Sequence, residues 1–155
     1  MASVKWEAAS IASLATTELN SLANNAAALG AEYDNTPGGA NNYEAGLFEL
    51  NVTFGANPTA GAPVELYLIP AADGTNYDDG SATGPVAPTN SFIGACYVRA
   101  VTTAQKMILG VPGAVLGPIL LPPVKFKMLV YNKSGQAFPA SGSTLKMVPY
   151  RRQVA

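Results

Sequence analysis

Hydrophobic and polar residues alternate in two neighbouring segments of the chain, residues 48–54 and 64–68. Because the side chains of a strand point alternately to its two faces, this period of two predicts strands with one buried face and one exposed face. The linker between them, residues 55–63, contains two Gly and two Pro and is therefore predicted to be a loop. Two such strands in succession predict an antiparallel pair whose apolar face is covered by a second layer.

Further strands are predicted in the second half of the chain at residues 91–101, 104–109, 124–131, 136–138 and 144–150. Cys96 and Val98 share the parity of Phe92, and all three are predicted to lie on one side of their strand. Turn-forming residues separate these segments. Seven or eight short strands at this spacing predict an all-β fold, an antiparallel β-sandwich of the jelly-roll type.

The beginning of the chain is less regular. Residues 1–18 are rich in small and hydroxyl side chains, with Trp6 as a large apolar anchor, and we predict an extended N-terminal arm that is either attached to its own domain or inserted into a neighbour. Residues 19–155 are predicted to form a single β-sandwich domain. Within it, residues 19–33 fit a helix slightly better than a strand, and a strand would place Ala27, Leu29, Ala31 and Tyr33 on one side.

Residues 110–123 combine four Pro and three Gly with large apolar residues, so they predict an irregular but apolar loop. The large apolar side chains are Val111, Val115, Leu116, Ile119, Leu120 and Leu121. Burying one Leu or Ile is worth roughly 1.5–3 kcal/mol, so such a loop is not expected to stay in water. It either folds onto its own core or contacts a partner, and we favour the partner because an exposed apolar patch promotes aggregation.

Charged residues make up only 12% of the chain, about half of the usual share of roughly 25%. Either Ser, Thr and Asn keep the surface soluble, or partners cover much of it, and we favour the second interpretation. The charges are also divided unevenly. Residues 1–79 contain all ten acids and one base, a net charge of −9, and residues 80–155 contain eight bases, a net charge of +8.

Two interpretations of this charge division stay open. The two halves could be interleaved in one sheet system and neutralise each other, or the chain could be a dipolar module that docks one charged end on a partner or on its own copies. Nucleic-acid binding is not favoured, because the bases are scattered and only Arg151 and Arg152 are adjacent.

The residues needed for most catalytic sites are missing. The chain contains no His, which excludes Ser-His-Asp and Cys-His arrangements and His-ligated metals. The single Cys96 is predicted to be a buried core residue, and the loop with Asp73, Asn76, Asp78 and Asp79 is predicted to be a turn, because its spacing does not match an EF-hand. We therefore predict no enzyme, cofactor or metal site. The chain shows no membrane span and no signal peptide.

Several strings of the chain nevertheless resemble a known family: Leu19–Asn24, Asp34–Asn35, Val64–Pro70, Asp73–Gly80, Val98–Gln105 and Pro149–Tyr150. They are similar to small virion proteins of tailed bacteriophages, of the capsid cement or decoration type. The resemblance covers most of residues 19–154, favours a strand for residues 19–33, and makes residues 110–120 look like an insertion. It implies a jelly-roll-like sandwich, a homotrimer, a place on the capsid surface of the virion, and synthesis in the cytoplasm of the host bacterium.

The favoured hypothesis is thus a bacteriophage capsid decoration protein that stabilises the assembled head shell as a homo-oligomer, with the major capsid protein and its own copies as partners. Its candidate contact residues are Trp6, Val111, Val115, Leu116, Ile119, Leu120, Leu121, Arg151 and Arg152. The alternative is a carbohydrate- or receptor-binding module of a phage tail or fibre. Its stacking faces would be Trp6, Tyr43, Tyr67, Tyr77 and Tyr97.

Overall fold

Ten strands form two antiparallel sheets in the computed structural model, which describes residues 4–39, 41–77 and 91–154. In chain order the strands are β1 (Val4–Ala8), β2 (Ala12–Ala15), β3 (Ala26–Asp34), β4 (Ala45–Val52), β5 (Pro63–Ala71), β6 (Phe92–Tyr97), β7 (Gln105–Leu109), β8 (Ile119–Leu120), β9 (Lys125–Asn132) and β10 (Thr144–Val154). The described residues contain one short 3₁₀ turn, Thr17–Leu19, and no α-helix. They therefore include no helix long and apolar enough to cross a membrane.

The two sheets each have four strand positions. In the six-stranded sheet, β10 and β4 lie side by side at the centre. β1 and β2 share the outer edge of β10, while β7 and β8 share the outer edge of β4. The four-stranded sheet has the order β3-β9-β5-β6. Buried residues of both sheets form one continuous core, so the predicted all-β antiparallel sandwich is confirmed.

Both alternating segments are strands, β4 and β5, but the prediction that they pair with each other is wrong. β4 belongs to the six-stranded sheet and β5 to the four-stranded sheet. Phe48 and Leu50 of β4 and Val64 and Leu66 of β5 are fully buried in the same core. The linker between the strands is long enough to cross the spacing of about 10 Å between packed sheets. Each apolar face is therefore covered by the opposite sheet.

Residues 19–33 begin as a turn and continue as a strand, so the helix interpretation is wrong. Within β3 the pairing with β9 shifts between Leu29 and Glu32, which marks a bulge. Ala27 and Leu29 pack on a small cluster outside the main core, whereas Tyr33 packs against the main core. The bulge adds a residue and reverses the alternation, so the predicted common side for these residues is also wrong.

A second bulge explains the position of Phe92. β6 pairs with β5 as Leu66 with Gly94 and then Tyr67 with Phe92, so the pairing skips Ile93. Cys96 is buried as predicted, but Phe92 is half-exposed and lies edge-on against the Tyr67 ring at 5.5 Å. The predicted common parity of Phe92 with the buried residues of its strand therefore fails at the bulge.

The two ends of the chain meet in the six-stranded sheet. Residues 4–8 and 12–15 of the predicted arm form β1 and β2, and both strands pair with β10. The last strand runs to Val154, so Arg151 and Arg152 lie in a strand and not in a tail. Residues 136–138, predicted as a strand, are irregular, and Phe138 packs in the core against Phe54 at 5.8 Å.

Candidate interaction surface

The segment between β7 and β8 exposes large aliphatic side chains, and we call residues 111–118 the apolar loop. Val115 is fully exposed and Leu116 is 63% exposed. Two successive turns shape the loop, since the Ala114 N–H donates to the Val111 carbonyl at 3.1 Å and the Gly117 N–H to the Ala114 carbonyl at 2.8 Å. Pro112 and Pro118 restrict φ at two further positions. The loop therefore presents its apolar side chains in a defined conformation.

Not every residue predicted for this contact is available. Ile119 and Leu121 are buried in the core, whereas Leu120 between them is 68% exposed. The reason is that β8 pairs with β4, as Ile119 with Gly46, and a strand directs alternate side chains to opposite faces. This corrects the sequence-based set, in which Ile119 and Leu121 were candidate contacts.

The outer face of the six-stranded sheet carries a groove of about 320 Å³, which we call the outer-face groove. Its apolar lining comes from β4, β7, β10 and the connection between β1 and β2: Leu47, Ile108, Val148 and Ile11. Glu49, Lys106 and Lys146 stand beside them. Outward positions of a sandwich strand are usually polar, so this apolar lining is unusual.

Sequence reasoning did not find the groove. Its signal was present, because Leu47 and Ile108 occupy the outward positions of strands whose inward positions are apolar as well. Such a signal has meaning only once it is known that β4, β7 and β10 are neighbours. The sequence alone therefore gives no reason to group these groove residues.

Trp6, Arg151 and Arg152 lie together on a two-stranded ribbon formed by β1 and the last residues of β10. The pairing of β10 with β4 ends at Tyr150, while its pairing with β1 continues to Val154. Trp6 is 62% exposed and contacts the Tyr150 ring edge-on at 5.4 Å. The Arg151 Nε lies 2.7 Å from a Glu7 carboxylate oxygen, so this cation is already paired.

Leu120 of β8 and the ribbon lie on the same face of the six-stranded sheet. Leu120 lies opposite Ala45, Ala45 opposite Tyr150, and Tyr150 opposite Ala8, in one row across four strands. Trp6 is two residues from Ala8 and so shares its face. Leu120 and Trp6 therefore extend the exposed apolar outer face beyond the groove, and the buried Tyr150 lies between them in the sheet. The structure brings these predicted contact residues together.

Among the described residues, five ion pairs join the two halves of the chain, each between an acid of residues 7–65 and a base of residues 106–152. They are Glu49–Lys106, Glu32–Lys125, Glu65–Lys133, Glu7–Arg151 and Glu44–Arg152. They arise because strands of the first half pair with strands of the second half. The interpretation that the two halves are interleaved and neutralise each other is confirmed. Ion pairs at a protein surface contribute little to stability, because water screens them.

Acid is expected to weaken the folded state. Backbone N–H groups of Asn76 and Thr75 donate to Asp73 and lower the pKa of its carboxyl to about 2, and the hydrogen bond from Arg152 lowers the pKa of Glu44. A carboxyl with a lowered folded-state pKa contributes stability above its unfolded pKa of about 4 and loses it as the pH falls through the folded pKa. Urea unfolding should show the free energy of unfolding decreasing between about pH 5 and pH 2.

The Asp73→Asn variant is the control for this prediction, because its amide does not titrate. Its stability should depend less on pH in the most acidic part of this range, where the Asp73 carboxyl of the wild type titrates. A wild-type free energy of unfolding that is unchanged at about pH 3 would contradict the prediction.

The loop considered for calcium contains a turn in its described part. The carboxylate of Asp73 accepts hydrogen bonds from the backbone and the side chain of Asn76, both at 2.7 Å, as predicted for an Asp-Gly turn. Asp78 and Asp79 lie outside the described residues. In the ranges 4–39, 41–77 and 91–154, no three His, Cys, Asp or Glu side chains are placed to hold a metal ion. Burial raises the pKa of the Cys96 thiol to about 12, which agrees with its predicted place in the core.

The five aromatic residues considered for carbohydrate stacking do not form one surface. Trp6 and Tyr97 are exposed, but they lie on different sheets. Tyr67 is buried, Tyr43 lies 5.4 Å from the Arg151 guanidinium, and Tyr77 donates a hydrogen bond to Glu32. The stacking faces are thus separated or already occupied by neighbouring side chains.

Comparison with protein-family models and with curated proteins finds no match to this chain.

Proposed function

We propose that this chain is a bacteriophage capsid decoration (cement) protein, which binds the assembled head shell and stabilises it as a homo-oligomer. Its partners are the major capsid protein and its own copies, and its place is the capsid surface of the virion. The resemblance of the strings between Leu19 and Tyr150 to small phage virion proteins suggests this class. A homotrimer is the oligomer that the resemblance implies.

The apolar outer face of the six-stranded sheet is the observation that carries the proposal. Trp6, Ile11, Ile108 and Leu120 are all at least half-exposed there. Burying each large apolar side chain is worth roughly 1.5–3 kcal/mol. Covering several of them helps to offset the cost of association, which is about 4–15 kcal/mol. A sheet face of this kind fits a protein that works while docked in an assembly.

The strand order supports the proposal that the sandwich is a jelly roll. β1 and β2 pair with β10, β3 pairs with β9, β4 pairs with β7 and β8, and β5 pairs with β6. Such nested pairing is what results when one long antiparallel ribbon is wrapped into an eight-position, two-sheet fold. The ribbon that carries Trp6 extends beyond the end of β4. This extension supports the proposal of an extended N-terminal arm.

The mechanism we propose is stabilisation by mass action. A protein that binds the assembled shell but not the free shell subunits lowers the free energy of the assembly by an amount that grows with its concentration. For a single site this is about 2.7 kcal/mol at a concentration one hundred times the Kd. Many equivalent sites on a shell would add their contributions.

The test uses phage particles made with and without this protein. Particles that lack it should release their DNA at lower temperature or after milder osmotic shock, and adding purified wild-type protein should restore their resistance. A Trp6→Ser, Leu120→Asp double variant should bind shells at least 30-fold more weakly, since about 2 kcal/mol is typical of a central contact. Tyr97→Ser is the matched control, because Tyr97 is exposed on the other sheet.

Equal resistance of particles with and without the protein would contradict the proposal. Specific binding to sugars on a glycan array, together with absence from the head, would favour the tail or fibre module instead.

A further inference from the structure

The molecule carries two separate apolar surfaces, the apolar loop and the outer-face groove. Leu116 is near β6 of the four-stranded sheet, where its Cδ1 lies 3.7 Å from the position that a side-chain Cβ on Gly94 would occupy. The groove lies on the outer face of the opposite sheet. The loop therefore leans away from the groove of its own chain, and the two surfaces face different directions.

The groove has space for side chains of the kind that the loop presents. A cavity of about 150 Å³ lined by apolar residues holds a benzene molecule, so about 320 Å³ accommodates roughly two such groups. Val115 and Leu116 are adjacent at the tip of the loop. Because turns and prolines already fix the loop, docking costs little conformational entropy.

The charges of the two surfaces are also compatible. Residues 107–124, which include the whole loop, contain no charged residue. Beside the groove, Lys106 lies 3.7 Å from Glu49, and the Lys106 side chain is 66% exposed. A neutral loop that enters the groove can leave this ion pair at the rim in contact with water. A charged occupant would bring an additional charge into the groove, and burying that charge would be costly.

The apolar area that the two surfaces offer corresponds to a reversible contact between copies. Five of the apolar side chains are exposed, Ile11, Ile108, Val111, Val115 and Leu116, and two are partly buried, Leu47 and Val148. At about 25 cal/mol per Å², a side chain worth 1.5–3 kcal/mol covers roughly 60–120 Å². The total over both partners is several hundred Å², less than the roughly 1,200–2,000 Å² that a standard interface buries in total, so we expect a weak and concentration-dependent contact.

We propose that the apolar loop of one copy docks in the outer-face groove of the next copy, with Val115 and Leu116 contacting Ile108 and Val148. The inference rests on the self-association that the proposed function includes. Two different surfaces of one chain then meet, so the contact is heterologous and repeats around a closed ring, or along a filament if the rotation does not close.

The test measures the mass of purified protein by sedimentation as a function of concentration. Wild type should form oligomers. A loop variant, Val115→Asp with Leu116→Asp, and a groove variant, Ile108→Asp, should each associate at least 30-fold more weakly and sediment as monomers. Ile11→Ser is a second, milder groove variant, and Tyr97→Ser is the control that should keep the wild-type mass. Thermal melts confirm that each variant is folded.

Mixing the two variants gives the decisive result. The loop variant keeps an intact groove and the groove variant keeps an intact loop, so one good contact can form and the mixture should contain dimers of one chain of each kind. A wild-type monomer at all concentrations, oligomers of the loop variant, or a mixture that stays monomeric would each overturn the inference. If copies associated face to face through the six-stranded sheet alone, the loop variant would keep the wild-type mass.

The failure of this inference is separable from failure of the proposed function, because no shell is present in these measurements. A monomer that binds and protects shells would refute the loop-in-groove contact alone. Oligomers that do not bind shells would refute the decoration function alone.

Discussion

Gly30→Ala is expected to lower the free energy of unfolding by about 2–4 kcal/mol, more than overpacking by a single methyl group usually costs. A Cβ on Gly30 would overlap the backbone carbonyl oxygen of Leu14 in β2, and it would lie only 3.2 Å from the Ala15 Cβ. Backbone atoms cannot rotate away as a flexible side chain can. β2 would have to move from β10, with which it pairs.

The effect can be isolated because the backbone at Gly30 has no positive φ, so alanine adopts the same conformation. Gly55→Ala is the matched control, since a Cβ there meets no atom within 4 Å. It should be neutral or stabilising by about 0.4–1 kcal/mol. Urea unfolding of both variants gives the comparison, and equal stability of the two would contradict the predicted overlap.

Asn132→Ala is expected to lower the free energy of unfolding by about 3–5 kcal/mol, because Asn132 is fully buried and forms a dense set of hydrogen bonds. Its Nδ2 donates to the carbonyls of Leu22 at 3.0 Å, Ala23 at 3.2 Å and Gln136 at 2.8 Å. Its Oδ1 accepts from the N–H and the hydroxyl of Ser134. Alanine would remove all five hydrogen bonds, each worth about 0.5–1.5 kcal/mol, and would leave the buried Ser134 N–H without this acceptor, whereas the three carbonyls each keep one other donor.

The change should lower the Tm by roughly 6–20 °C, at 2–4 °C for each kcal/mol in a chain of this size. Asn51→Ala on the outward side of β4 is the matched control and should change the free energy of unfolding by less than about 0.5 kcal/mol. A loss at position 132 of the same size as at position 51 would mean that the hydrogen bonds of Asn132 are readily replaced by water.

These two positions join elements that are distant in sequence. Gly30 allows β3 to pass close to β2, and Asn132 holds the segment at Leu22 to the turn after β9. Neither lies on the outer face of the six-stranded sheet. Their variants should therefore weaken the fold while leaving self-association of the folded fraction unchanged, which separates them from the loop and groove variants.

The apolar outer face of the six-stranded sheet gives a structural reason for the low share of charged residues in the chain. In the part of the chain that the structure describes, five acids of the first half are each paired with a base of the second half. The apolar residues at outward positions of β4, β7 and β10 are concentrated in one groove. The surface is thus neither strongly charged nor uniformly polar, which favours assembly through apolar contacts.

The amino-acid sequence by itself determined the local properties of this protein. Alternation identified β4, β5, β9 and most of β10. The apolar residues around Cys96 in the sequence identified it as a core residue. These properties follow from the geometry of a strand, in which successive side chains point to opposite faces. They need no knowledge of what lies beside the strand.

Only the tertiary structure decided which strands are neighbours and where the alternation reverses. It placed β4 and β5 in different sheets, and bulges in β3 and β6 moved Tyr33 into the core and Phe92 out of it. It likewise buried Ile119 and exposed Leu120. The physical reason is that pairing and bulges are set by hydrogen bonds between residues far apart in sequence. Whether an apolar side chain becomes core or contact surface depends on those bonds.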